Sequence, residues 1–382
     1  MFKNSTTVLR VFEIEINLAS SWFLIAALIT WSLAHQVFPQ QIPGLSTLQY
    51  GMLGTVAMLL FFVSLLLHEL AHALVARSFG LKVPRITLFL FGGVAELGDE
   101  PDTAGHEFWI AIAGPAMSLA LASIFWVSSV IALLTSEDLS QVHTVLSYLA
   151  TINLVLAVFN MLPAFPLDGG RVLRAAIWSR TGDILKATKT STKFGEFLGF
   201  GLMALGVLAL FQGLPLGGAW QIMIGLFIVI AAKSSLESLQ TKTLLGNQRV
   251  ADVMSAKVVA ADPDLSLTDL VNRIMLPNRV SFVPVIEDGV LLGHIDTKVL
   301  SMIDRENWSN TQVGDVFVEF DTSRIISPHD NAADTLKQMA ETGERKLIVA
   351  EGRRLVGVVT LSDLMRLLQL LISLKARPEV TV

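Results

Sequence analysis

The run Val63–Val75, VSLLLHELAHALV, sets His68, Glu69 and His72 inside an otherwise apolar segment. On an α-helix, residues four apart lie above one another, so the two imidazoles can converge on one ion with Glu69 beside the first of them. Two neutral imidazoles leave room around Zn²⁺ for a further protein ligand and a water, which is how catalytic zinc sites differ from closed structural ones. Glu69 is then the general base. A chance match would fall on a solvated helix, yet from Leu53 to Ala76 the sole acidic or basic residue besides the histidines is Glu69. Burying three ionisable groups in such a segment is costly unless a metal or partners compensate them.

A metal needs a third ligand, and the chain has no cysteine, which leaves histidine and carboxylate. Asn160–Arg171 reads NMLPAFPLDGGR; its prolines and glycines break a helix and fix an irregular loop, and Asp168 is the lone acidic residue between Asp138 and Asp183. A single carboxylate on a rigid turn at a membrane margin suits a third ligand. Its structural alternative is a helix N-cap for the chain from Gly169 onward.

The elements that must hold these groups are membrane helices. Of 382 residues, 52% are hydrophobic and 16% charged, with a mean hydropathy of +0.60, outside the range of soluble domains. Residues 1–240 hold 26 of the charged side chains and residues 241–382 hold 35, so a membrane domain (1–240) precedes a soluble one (241–382). A net charge of −5 offers no basic surface, which argues against nucleic acid as a partner. The lead Met1–Asn17, carrying Lys3, Arg10, Glu13 and Glu15, is too long and too mixed for a signal peptide, so residues 18–37 read as a retained span. Further spans are expected at about 51–79, 107–134, 142–162, 194–212 and 217–238, six in all, followed by a short link from Leu239 to Gln248. The connections 38–50, 135–141 and 213–216 contain no Lys or Arg, whereas the others are basic, which puts both termini and the soluble domain in the cytoplasm.

Two β segments accompany the helices. Val8–Asn17 alternates apolar and polar residues and predicts one short strand before the first helix; residues 84–97 predict a hairpin around Gly92–Gly93. A hairpin dipping into the membrane must be covered by protein or face a wet cavity, and its free edge can pair with an extended peptide. Ala113–Ala116, AGPA, reads as a close helix contact.

HELAH on one helix, Gly114–Pro115 on the next and N-x-x-P-x-x-P-L-D-G-G on a later one, in that order, resemble the site-2 protease family of intramembrane zinc metalloproteases. The resemblance covers residues 8–240 and implies one Zn²⁺ per chain held by His68, His72 and Asp168. It further implies that Glu69 activates water and that Asn160 holds the substrate carbonyl or the developing oxyanion. No inserted PDZ-like segment is present, which fits the branch with a C-terminal regulatory domain.

That C-terminal part repeats itself. Units at about 249–305 and 313–370 each run helix, strand, strand, helix: 266–276, 281–286, 290–295 and from Thr297; then 331–341, 346–350, 354–359 and from Ser362. The order resembles a tandem pair of CBS domains, which commonly bind adenine nucleotides, and in the second repeat GVVTLSD puts Thr360 and Asp363 where the resemblance implies ribose and phosphate contacts with ATP or AMP. The first repeat has GHIDTKV, with Asp296 and Val299 at those places. CBS pairs also serve as dimer surfaces, which makes a homodimer through them an expected assembly.

The fold expected is therefore an all-α membrane bundle of six transmembrane helices with a membrane-associated β-hairpin, followed by a soluble α/β tandem CBS domain. The expected function is an intramembrane zinc endopeptidase of the cytoplasmic (inner) membrane, cleaving single-span membrane proteins in or near their transmembrane segments. The competing class is a CBS-regulated transporter or channel for divalent metal ions; against it, the sequence shows no paired repeat within the membrane part and no charges on several helices near the midplane.

Overall fold

The computed structural model describes residues 5–136, 139–319 and 325–375; Lys3 of the N-terminal charges, part of the 135–141 connection and the chain after residue 375 lie outside the described residues. The chain divides into two compact units, Met1–Leu236 and Glu237–Val382.

The first unit starts with β1 (Ser5–Val11) and β2 (Ile14–Ala19). Where alternation predicts one strand, the chain forms a hairpin. Phe12 and Glu13 both adopt left-handed backbone, φ 49° and 65°, and two such residues in succession make a turn whose twist suits antiparallel pairing. Helix α1 (Ser20–Ser32) continues through a π turn (Leu33–Val37) into α2 (Phe38–Gln41). Helix α3 (Thr47–Ser78) starts on a capping box: the Ser46 hydroxyl accepts from the Gln49 N–H while the Gln49 side chain accepts from the Ser46 N–H.

After β3 (Arg85–Phe89) and β4 (Gly92–Glu96) come α4 (Ala104–Thr135), α5 (Ser140–Asn160), α6 (Asp168–Thr181), α7 (Ile184–Phe211) and α8 (Pro215–Leu245). Among the described residues six stretches are long and apolar enough to cross a membrane, in the order the hydropathy predicts: Ser20–Gln41, Thr47–Ser78, Ala104–Thr135, Ser140–Asn160, Ile184–Phe211 and Pro215–Leu245. The last runs on to Leu245, so most of the link expected after Leu239 is helix.

The four strands form one sheet in the order β1-β2-β3-β4, with β2 and β3 parallel. The 84–97 hairpin is thus not free on both sides: β2 fills the β3 edge, and the outer edge of β4 is the one left open to another strand. Ile14, Ile16, Ile86 and Leu88 from the sheet share one core with Met58, Phe62 and Leu65 of α3 and Ile110 of α4. Between α7 and α8 the backbones approach closely. Gly199 and Gly206 face Gly225 and Gly218, where a Cβ would meet the opposing backbone. Lipid tails are as apolar as leucine, so close contact of this kind, rather than hydrophobic burial, holds such a pair together.

The second unit contains the two expected repeats. In the first, α9 (Leu267–Asp269), a π turn (Leu270–Met275) and α10 (Leu276–Asn278) make the leading helix, followed by β5 (Phe282–Glu287), β6 (Val290–Asp296), α11 (Thr297–Ser301) and β7 (Val318–Glu319). The second has β8 (Ile325–Ile326), α12 (Ala332–Thr342), β9 (Lys346–Glu351), β10 (Arg354–Thr360) and α13 (Leu361–Lys375). Each hairpin takes a short parallel partner from the chain ahead of its helix, Ala261 on Val285 and β8 on β9. Leu291 of the first sheet is buried with Ile348 and Ala350 of the second, and its N–H donates to the Arg353 carbonyl at 2.8 Å.

Candidate metal centre

Helices α3 and α6 bring three donors to one point. His68 Nε2 and His72 Nε2 each stand 3.2 Å from Asp168 Oδ2 and 3.2 Å from each other. A triangle of that edge is the face of a tetrahedron whose centre lies about 2.0 Å from each corner, the bond length of Zn²⁺ to imidazole nitrogen and carboxylate oxygen. All three residues are buried, and among the described residues this is the one group of His, Asp and Glu placed to hold a metal ion.

The hydrogen bonds around the triangle say which atoms are lone pairs. His72 Nδ1 lies 2.6 Å from the Ile110 carbonyl, which only accepts, so Nδ1 carries the hydrogen and Nε2 of the neutral ring is an acceptor. His68 Nδ1 is 2.8 Å from the Ser118 hydroxyl. Both rings are thus held from α4 by their outer nitrogens, which fixes the orientation of both and the tautomer of His72, as second contacts do for metal-bound histidine. The inner nitrogen of neutral His72 then confronts a carboxylate oxygen, acceptor against acceptor, with the inner nitrogen of His68 beside them, an arrangement that a cation resolves. The donor set and its spacing fit zinc.

Local sequence explains the close approach. A Cβ on Gly114 would run into both Nε2 atoms, so the residue read as a helix contact is where α4 makes room for the imidazoles. Ile110 and Ser118 lie one turn to either side of it. At the start of α6, a Cβ on Gly169 would strike the Met161 and Leu162 carbonyls, and one on Gly170 the backbone of Ala164 and Phe165. The two glycines let the first turn tuck under its own loop. Asp168 is the first residue of α6, after Leu167, and its carboxylate turns to the imidazoles rather than capping the helix.

Glu69 is half-buried beside His68 and packs on β4: a Cβ at Gly93 would lie 2.5 Å from Glu69 Cγ. Asn160 ends α5, half-buried, at the head of the loop that delivers Asp168. An apolar cavity of about 670 Å³ borders that loop at Pro166 and Leu167 and is walled by Phe91, Phe159, Trp220 and Phe227 among others.

A second charged cluster forms no motif in the sequence. Glu107, in the first turn of α4, is fully buried and accepts from Arg171 Nε at 2.9 Å and from Arg174 at 2.7 Å, both on α6; Arg174 also reaches Glu100 at 3.2 Å. Burial alone would lower the Arg171 pKa, and the Glu107 carboxylate more than reverses it. A charge amid the apolar start of α4 was the available signal. In the second unit, Thr360 and Asp363 meet each other: Asp363 Oδ2 accepts from the Thr360 N–H at 3.1 Å and hydroxyl at 2.6 Å, while Thr360 Oγ1 accepts from the Asp363 N–H at 3.2 Å.

Comparison with known proteins gives a consistent picture. Residues 56–134 and 127–205 match the description of peptidase family M50, and residues 250–298 and 316–370 match the CBS domain. The chain is 37% identical over 374 residues to the candidate zinc metalloprotease Rip3 of Mycobacterium tuberculosis, covering 97% of this chain and 94% of that protein. It is 30% identical over 328 residues to the zinc metalloprotease MJ0392 of Methanocaldococcus jannaschii, covering 86% and 89%. Among solved structures, the site-2 protease of Methanocaldococcus jannaschii matches with 29% identity and a TM-score of 0.43, over 60% of this chain and 94% of that one.

Proposed function

The chain belongs to peptidase family M50 and carries a CBS domain pair, and from that premise we propose that it is a zinc-dependent intramembrane endopeptidase acting on single-span membrane proteins. One observation carries the reading: three buried donors with 3.2 Å edges, the two imidazoles oriented from α4, with a carboxylate on the residue next to His68. Membership of a peptidase family sets aside the transporter alternative.

His68, His72 and Asp168 hold the ion. Zinc there supplies a Lewis acid for the scissile carbonyl and lowers the pKa of water. Glu69 accepts the proton of the attacking water and returns it to the leaving amine, for which a half-buried carboxylate one residue from a ligand is well placed. Asn160 offers an amide N–H to the oxygen on which charge develops.

A helical substrate hides its backbone and must be extended before it is cut. The open edge of β4 offers backbone pairing, and Gly93 brings that strand against Glu69. The apolar cavity beside Pro166 and Leu167 suits the side chains of such a segment. The Lys and Arg distribution favours cytoplasmic termini and a cytoplasmic CBS pair. In that pair, Thr360 and Asp363 contact the ribose and phosphate of ATP or AMP, and the pair is the surface through which two chains associate.

Incubating the purified chain and its Glu69→Gln variant with a panel of single-span membrane proteins tests the central claim by mass spectrometry. Cleavage within a span by the wild type alone is expected. Equal cleavage by both, or by neither across the panel, counts against it.

A further inference from the structure

We infer that Glu107 is a positioning residue for the metal centre: its carboxylate, clamped by Arg171 and Arg174, sets the register of α4 against α6 and thereby the closure of the His68–His72–Asp168 triangle. This inference rests on the metal reading above. The helices divide the work. Helix α4 orients both imidazoles, through the Ile110 carbonyl and the Ser118 hydroxyl, while α6 presents Asp168.

Glu107 stands one turn before Ile110, and Arg171 one turn after Asp168. The ion pair is therefore a cross-link one turn from the Ile110 contact to His72 on α4 and one turn from Asp168 on α6. A slip of α4 along α6 moves the rings away from the carboxylate. Arg174 adds a second hold, since its guanidinium lies 5.4 Å from the centre of the Phe165 ring in the loop that leads into α6.

Burial argues for register rather than mere adhesion. Glu107 is fully buried, and the Arg171 and Arg174 side chains are only 17% and 4% exposed. Desolvating such groups consumes most of their attraction, so apolar residues of similar volume often hold helices together as well or better. What an ion pair adds is geometry: the two guanidiniums accept only one placement of the carboxylate between them.

Co²⁺ provides the probe, because it enters zinc sites and its visible absorption reports coordination geometry without any catalytic turnover. Glu107→Gln is expected to weaken Co²⁺ binding about 10- to 100-fold, the range for losing an outer contact of a metal site, and to alter the Co²⁺ spectrum while helix content stays intact. Glu107→Asp, which keeps the charge, should recover part of the loss. A triple variant with Glu107→Leu, Arg171→Met and Arg174→Met, which replaces charge by packing, should fold and still bind weakly.

Wild-type affinity and spectrum in Glu107→Gln would overturn the inference, as would full recovery in the apolar triple variant. Should Glu107→Gln not fold, Arg171→Met decides, since Arg174 still pairs the carboxylate: an unchanged spectrum and affinity there would equally overturn it. Failure of the wild type to bind Co²⁺ would sink the metal reading instead.

Discussion

Two aspartates at helix starts, Asp168 on α6 and Asp363 on α13, look alike in sequence and are used in opposite ways. Asp363 serves its own helix: it accepts from the backbone and the hydroxyl of Thr360, and Thr360 returns the bond. That closes a capping box, and folding alone accounts for it. Asp168 accepts nothing from the start of α6, is buried, and faces the inner nitrogens of two imidazoles, that of neutral His72 an acceptor, across 100 and 96 residues of chain. Folding alone does not account for that. A carboxylate committed to its own backbone is structure first, whereas a buried one turned from its helix toward other acceptors is asking for a cation.

The sharpest way to break this contrast is Asp168→Ala. If Asp168 exists for the ion, the variant falls well below one Zn²⁺ per chain and loses hydrolysis, yet without metal it is as stable as the metal-free wild type, because no cap is lost. Elemental analysis and thermal unfolding with and without chelator check both halves. Full zinc content with unchanged cleavage would remove Asp168 from the site. Glu69→Gln should come next: the metal stays, and the rate falls about 10²- to 10⁴-fold, the range for a lost general base. Loss of zinc in that variant would make Glu69 a ligand rather than a base.

Asn160→Ala should lower turnover by about 10²- to 10³-fold, as expected for one donor to a developing oxyanion, again with the metal in place. Zinc lost in proportion to rate would assign Asn160 to the shape of the Asp168 loop instead.

Much of the centre could be read from local signals. His68, Glu69 and His72 are visible because helical spacing converts sequence distance directly into a shared face, and Asp168 because it is alone in an apolar stretch. What was hidden depends on contacts made across the fold. Glu107 and its two arginines look like ordinary charges near helix ends, and only packing of α4 on α6 makes them a buried cluster. Gly114 could be read as small, but not as the point where two imidazoles meet α4. The β1–β2 hairpin escaped because its turn is Phe12–Glu13, with none of the Gly or Asn that left-handed backbone usually selects. Helix α6 is legible only as the alternative to a ligand role for Asp168, because Gly169 and Gly170, poor helix formers, occupy its first turn to pass beneath the loop.

The smallest expected effect is at Asp363, and it tests whether the cap is all there is. Asp363→Ala should cost about 0.5–2 kcal/mol, the value of a helix cap, whether or not nucleotide is present. The first repeat offers an internal control. There Asp296, at the place of Thr360, caps α11, accepting from Lys298 and Val299 at 2.9 and 3.1 Å, and Val299 takes the place of Asp363. That cleft lacks the carboxylate by which the second would hold a ribose.

If Asp363 Oδ2 also receives a ribose hydroxyl, ATP or AMP at 100 times its Kd should stabilise the wild type by about 2.7 kcal/mol by mass action. That increment should vanish in Asp363→Ala and survive in Asp296→Asn. Thermal unfolding of the full chain at millimolar nucleotide separates the outcomes. No shift in the wild type leaves Thr360 and Asp363 as a helix cap alone, and a shift that survives Asp363→Ala moves the nucleotide elsewhere in the pair. A shift confined to chains that keep Asp363 makes one carboxylate both cap and ligand, and a cleavage assay with ATP, AMP and neither then shows whether the second unit's occupancy is felt at the zinc.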